Sequence, residues 1–181
     1  SSVSFLNLAM DTNESAEVGG GENTIGGAFG LVFDSELSLD HCTIYGNNSI
    51  SGGVSGLYSS NSIVDIRSSI FWNNPGQWDG ESGQLIGSGY DVSYSDIQGG
   101  YEGVGNVDID PLFCDFLFFE LAENSPLLGL GQDGTDIGAA GIGCDPIYNS
   151  DIQFVDISVS GNSAQFAIMT DSEHDHFHWN V

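Results

Sequence analysis

Basic side chains are almost missing from this sequence. Lys and Arg together number 1, Asp and Glu 26, and the formal charge is −25. A nucleic-acid binder neutralises phosphates with Lys and Arg, so that class is excluded. Attachment to an anionic membrane surface is disfavoured for the same reason. Long apolar runs are missing too. None approaches the ~20 residues of a membrane-spanning helix. No segment carries a 3.6-residue apolar period of helical length, which removes amphipathic helices. Proline is scarce at 4, while glycine numbers 26, so the chain turns mostly on glycine. The cysteines number 3, and an odd count leaves at least one thiol unpaired within the chain.

Hydrophobic residues make up 40%, too many for a disordered acidic chain, and 181 residues can bury a core. The acidic balance fits a solvated exterior that repels its own copies, or one that gathers cations. Ser1 to Phe5 reads as the inside of a strand rather than a leader. The chain is therefore expected to be a processed or partial product.

The sequence is built on a repeat. Leu39-Asp40-His41-Cys42-Thr43-Ile44 is followed by Ile66-Arg67-Ser68-Ser69-Ile70-Phe71 and Val92-Ser93-Tyr94-Ser95-Asp96-Ile97. The copies begin at 39, 66 and 92, so the steps are 27 and 26. A fainter copy runs from Phe5 to Met10. Gly26 to Leu31 matches Gly52 to Leu57 at an offset of 26, and each leads into a polar turn. Each copy closes on Asn or Gly, the residues that tolerate left-handed corners.

A unit this small cannot bury its own apolar face, so copies must stack. One strand per face per turn gives parallel sheets with inward columns. The expected columns are Leu39 over Ile66 over Val92, Ile44 over Phe71 over Ile97, and Cys42 over Ser69 over Ser95. The expected fold is all-β: a parallel β-helix solenoid over residues 1–144, with a short C-terminal β appendage over 145–181. In that appendage Ile152 to Ser160 and Gln165 to Thr170 read as strands, with His176 to Val181 as a third.

"LDHCTIYGNN" (Leu39 to Asn48), "IRSSIFWNN" (Ile66 to Asn74) and "VSYSDIQGG" (Val92 to Gly100) resemble coils of right-handed parallel β-helix repeat proteins of the secreted bacterial, pectate-lyase-like type. "GNVDIDPLF" (Gly105 to Phe113) and the run from Leu121 to Cys144 resemble the closing segment of such helices. Leu127 stands where that segment often has cysteine. Residues from 147 onward resemble the start of an Ig-like β domain. The resemblance implies a right-handed coil and an extracellular or cell-surface location. It also implies a Cys114–Cys144 disulfide bridging the last coil to the closing segment. The superfamily includes polysaccharide lyases, adhesins and surface proteins of unknown role. Lyase chemistry wants Arg or Lys against a substrate carboxylate, and Arg67 alone is available.

Three further constellations could carry function. Asp108, Asp110 and Asp115 offer hard oxygen ligands for calcium, with Asp133, Asp136 and Asp145 nearby in sequence; the alternative is a solvated acidic surface with Asp capping turns. His174, His176 and His178 would share one strand face and could meet zinc or copper, or form the polar face of an incomplete domain. Tyr45, Trp72, Trp78 and Tyr94, with Tyr90 and Tyr101, could form an outward aromatic column that stacks on sugar rings. Otherwise they are partly buried under the loops Pro75 to Gly83 and Gly99 to Gly105. Cys42 reads as a buried thiol.

Two functions follow as expectations. The first is a non-enzymatic structural or adhesive β-helix segment, binding glycan or calcium or self-associating end to end. The second is a carbohydrate-active enzyme acting on a neutral polysaccharide through an acidic pair drawn from Asp40, Asp65, Asp91 and Asp96.

Overall fold

The computed structural model describes residues 2–11, 14–15, 29–32, 35–49, 56–75, 77–78, 81–82, 84–148, 153–160 and 163–169. These residues form strands and turns, with one short 3₁₀ turn at Gln132–Gly134. The protein is all-β. No helix among the described residues is long and apolar enough to cross a membrane. The chain divides into two compact units, Ser1–Pro146 and Ile147–Val181.

Three parallel sheets of three or four strands carry the repeat in the first unit, beside two-stranded parallel pairs at Glu14–Ser15 with Asn48–Ser49 and Leu121–Ala122 with Ile142–Cys144. The first aligns Ser2–Leu6, Glu36–Asp40, Ile63–Arg67 and Tyr90–Ser93. The second aligns Ala9–Asp11, Thr43–Tyr45, Ile70–Trp72 and Asp96–Ile97. The third aligns Phe29–Val32, Leu57–Ser60 and Leu85–Gly87. Each step of the chain visits the third sheet, then the first, then the second.

Register follows the repeat. Phe5, Leu39, Ile66 and Val92 are successive partners in the first sheet. Met10, Ile44, Phe71 and Ile97 are successive partners in the second. Leu39, Ile66, Ile44 and Phe71 are fully buried, and with Leu37, Leu57, Val64, Val92 and Ile97 they make one core. Fully burying such a side chain contributes ~1.5–3 kcal/mol, so the columns dominate the stability of this unit.

The third sheet departs from the offset of the glycine match. Phe29, not Leu31, lies opposite Leu57, and Leu31 lies opposite Ser59. Strand side chains alternate with period two, so a two-residue slip keeps every residue on its face. The glycine match therefore had no energetic hold on register.

The corner between the first and second sheets is made by Asn7, His41, Ser68 and Tyr94, each with φ between 45° and 52°. These residues occupy equivalent places in successive steps. Left-handed backbone costs an L-residue ~1–2 kcal/mol. The buried columns on either side hold it.

The small column beside this corner is a hydrogen-bond ladder. The Ser69 amide donates to the Ser95 hydroxyl at 3.1 Å, and the Ser95 amide donates to Asn106 Oδ1 at 3.1 Å. A second ladder joins Asn47, Asn74, Gln84 and Gln98, with Asn74 Nδ2 donating to Gln84 Oε1 at 2.6 Å. Both satisfy polar groups that burial would otherwise orphan.

In the second unit, Gln153–Ser160 pairs antiparallel with Ser163–Met169. The strand expected at His176 to Val181 lies outside the described residues.

Candidate functional site

The chemistry-bearing residues gather on the outer face of the second sheet. Alternation puts Ile44, Phe71 and Ile97 inward and turns Thr43, Ile70 and Asp96 outward. These last three are partners in register. The segment from Val107 to Ala139 folds back over them.

Its anchors reach successive steps of the repeat. Val107 exchanges backbone bonds with Ser95 and Ile97. The Gln132 amide donates to the Ser68 hydroxyl at 3.0 Å, and the Gly138 amide to the Ser68 carbonyl at 2.8 Å. The Ala139 amide donates to Thr43 Oγ1 at 3.0 Å. Ile70, Leu121, Leu127 and Ile137 pack beneath as a second buried cluster. Gly138 sits at φ 106°, and a Cβ there would lie 2.6 Å from Ile70 Cδ1, so this approach needs glycine. Leu127 is fully buried in this cluster, so its apolar packing holds the place where the resemblance looks for cysteine.

Cys114 and Cys144 form a disulfide, with Cα atoms 5.8 Å apart, that closes this segment. Cys42 is free and buried, and burial pushes its thiol up.

The aromatic column is covered. Tyr45 and Trp72 are register partners as expected. The Tyr45 ring, however, stacks on Phe116 at 5.2 Å and meets Phe113 and Phe119 at 5.7 and 5.3 Å. Trp72 packs against the Ile70 cluster. Both rings are half-buried: the turn at 113–119 folds onto Tyr45, and Trp72 lies against the Ile70 cluster. Tyr94 takes the corner conformation and its ring crowds Gly105. Tyr90 donates to the Ile86 carbonyl at 2.7 Å and faces Tyr101 edge-on; burial pushes its hydroxyl up. The Trp78 backbone pairs with Glu81 in a short antiparallel hairpin, and its side chain lies outside the description.

Asp110, Asp115 and Asp136 act as turn caps. Asp115 Oδ1 accepts the amides of Leu117 and Phe118, both at 2.9 Å, which hold its carboxyl below the ordinary range. Asp110 Oδ1 accepts the Leu112 amide, and Asp136 Oδ1 the Gly129 amide. Among the described residues, no three Asp, Glu, His or Cys side chains form a group that could hold a metal. His174, His176 and His178 lie outside the described residues.

Of the four candidate carboxylates, Asp40, Asp65 and Asp91 lie in the first sheet and Asp96 in the second. Asp65 lies in the first sheet, in register with Asp91, and is bound by Arg67 at 2.6 Å. Asp96 lies in the second sheet and is fully buried. Its Oδ1 accepts the Ile109 amide at 3.1 Å, while Oδ2 has no protein partner. Burial raises its pKa to about 7, with Asp108 and Asp110 adding to the rise and the Ile109 amide opposing it.

One arrangement escaped sequence reasoning. His41 Nδ1 lies 2.8 Å from Asp40 Oδ1, and Nε2 lies 3.0 Å from Thr135 Oγ1. The Thr135 hydroxyl also lies 2.8 Å from the Gln132 carbonyl. Thr135 is exposed, and His41 and Asp40 are partly exposed. Thr135 stands 94 positions from His41, so only the Asp40-His41 dipeptide was visible locally. The left-handed corner at His41 takes its ring out of the strand alternation.

Compared with known proteins, the chain matches no family model, no curated protein and no solved structure.

Proposed function

We propose that the stacked steps are coils of a right-handed parallel β-helix, and that the chain serves as a structural or adhesive segment of a secreted or cell-surface protein. The observation that carries the reading is register. Four apolar partners in the first sheet and four in the second stay in register over steps of 34, 27 and 26 residues, with amide-to-side-chain ladders between the later steps. Such a stack is a stiff body whose strength comes from nearest-neighbour interfaces. The charge of −25 keeps it solvated and excludes polyanionic partners.

The test is incubation of the full chain with a panel of neutral polysaccharides, scoring retention and new reducing ends separately. Retention without chain cleavage supports the adhesive reading. Cleavage of any glycan replaces it with the carbohydrate-active alternative. Neither retention nor cleavage removes glycan from the proposal and leaves the structural role.

A further inference from the structure

The Asp40–His41–Thr135 chain has the geometry of a carboxylate, an imidazole and a hydroxyl in series. Three facts bear on what it can do. Asp40 fixes the ring tautomer, because a carboxylate accepts only from an N–H, so Nδ1 carries the proton and Nε2 is free to act as a base. Nε2 is within reach of a single hydroxyl, that of Thr135. Thr135 is exposed, so an acyl group can approach this residue. A nucleophile in hydrogen-bond reach of a base, with the base oriented by a third group, is the recurring constellation of nucleophilic catalysis on unrelated folds.

We propose that Asp40, His41 and Thr135 form a nucleophilic relay that hydrolyses neutral esters at the corner between the first and second sheets. Thr135 Oγ attacks the acyl carbon, forming a C–O bond as its proton passes to His41 Nε2. The tetrahedral adduct reforms its carbonyl by expelling the alcohol, which takes the proton from Nε2. Water then attacks the acyl-threonine with Nε2 again as base. The carboxylic acid leaves and Thr135 regains its proton. Ester and water become acid and alcohol, with no oxidant or cofactor. Asp40 is the positioning residue.

The resting hydroxyl divides its proton between Gln132 and His41. Both acceptors lie within 3.0 Å, so a turn about the Cβ–Oγ bond switches between them. Substrate charge follows from the surroundings. The one basic side chain, Arg67, is held by Asp65, and a charge of −25 repels anionic esters. Neutral esters remain. This inference is independent of whether the chain binds glycan.

The experiment uses p-nitrophenyl acetate with the full chain, reading release of p-nitrophenol and, after acid quench, the site of acetylation by peptide mass spectrometry. Acetylation on Thr135 and a fall of ~10-fold or more in H41Q and T135A support the relay, since general base catalysis contributes ~10²–10⁴-fold. T135S keeps both the hydroxyl and its bond to Gln132, so retained activity there separates chemistry from folding. D40N should lower kcat with little change in KM, because the other tautomer is freed and Nε2 no longer faces Thr135 as a base in every molecule. Absence of acetyl-Thr135 overturns the proposal, and so does a T135A variant that hydrolyses at the parent rate.

Discussion

The Cys42 amide donates to the Ser69 hydroxyl at 3.0 Å, across one full step of the repeat. Ser69 and Ser95 repeat the bond towards the next step, and Asn106 ends the series after only 11 residues. Each donor is buried, so each acceptor is obligatory. Ser69→Ala is expected to cost ~1–3 kcal/mol, the penalty of a buried unsatisfied amide. Exposed Ser88→Ala should stay within ~0.5 kcal/mol. Denaturant unfolding of the two variants checks the contrast, and equal midpoints would remove the ladder from the account of stability.

The disulfide makes a second prediction. It closes a separation of 30 residues over the segment that covers the second sheet. Loop-closure entropy places its contribution at ~3–4 kcal/mol. The double variant Cys114→Ala and Cys144→Ala should therefore melt lower, and with the flank loosened Ile70 should lose amide protection. Thiol titration supplies an independent reading. The native chain should show no reactive thiol, and the unfolded, unreduced chain one, from Cys42.

How far the sequence was legible follows from which physics was local. Leu39, Ile66 and Val92 share a strict period with apolar neighbours, and burial forces that period into register. The left-handed corner was not legible. Ser68 and Tyr94 have no intrinsic preference for positive φ, and the fold imposes it from outside. The covering of Tyr45 was hidden for a related reason. Its partners Phe113, Phe116 and Phe119 lie in a turn whose destination is set by the disulfide and the Ile70 cluster, not by local pattern. The Asp40–His41–Thr135 chain needs the same fold-back, so no local reading could assemble it.

The turn over Tyr45 separates packed from exposed aromatics. Phe119 is 2% exposed and Leu117 is 79% exposed. Phe119→Ala is expected to cost ~3–5 kcal/mol, the range for deleting a buried aromatic. Leu117→Ser should leave stability nearly unchanged, because that side chain already meets water. Thermal melts of the two variants decide this. A mild effect at Phe119 would mean that the turn does not seal the sheet.

The corner makes a sharper test at its exposed first member. Asn7 holds φ at 52° and lies open to solvent. Asn7→Val should cost ~1–2 kcal/mol, because a β-branched side chain meets the following carbonyl there. Asn7→Gly should be tolerated. Equal stability of the Val and Gly variants would show that the corner conformation is not held in solution.

Asp96 sets the pH dependence. Its carboxyl is fully buried, one oxygen has no partner, and burial raises its pKa from 3.8 to about 7. The folded chain therefore keeps this proton over a range in which the unfolded chain has lost it. The stability contributed by the protonated form is fully present below pH ~4. It declines as pH rises towards 7 and is gone above it. A shift of this size corresponds to an upper bound of ~4 kcal/mol at ~1.4 kcal/mol per unit. Asp108 and Asp110 oppose ionisation of Asp96, so salt should soften the decline by screening them. Asp96→Asn removes the titrating proton while keeping the shape. Its stability should be nearly flat between pH 4 and 7 and should exceed the parent's at pH 8. Urea unfolding of both proteins at pH 4.5, 6 and 8 reads this directly. If the parent gains stability relative to Asp96→Asn as pH rises, Asp96 is ionised and paired in the folded chain, and the raised pKa is excluded.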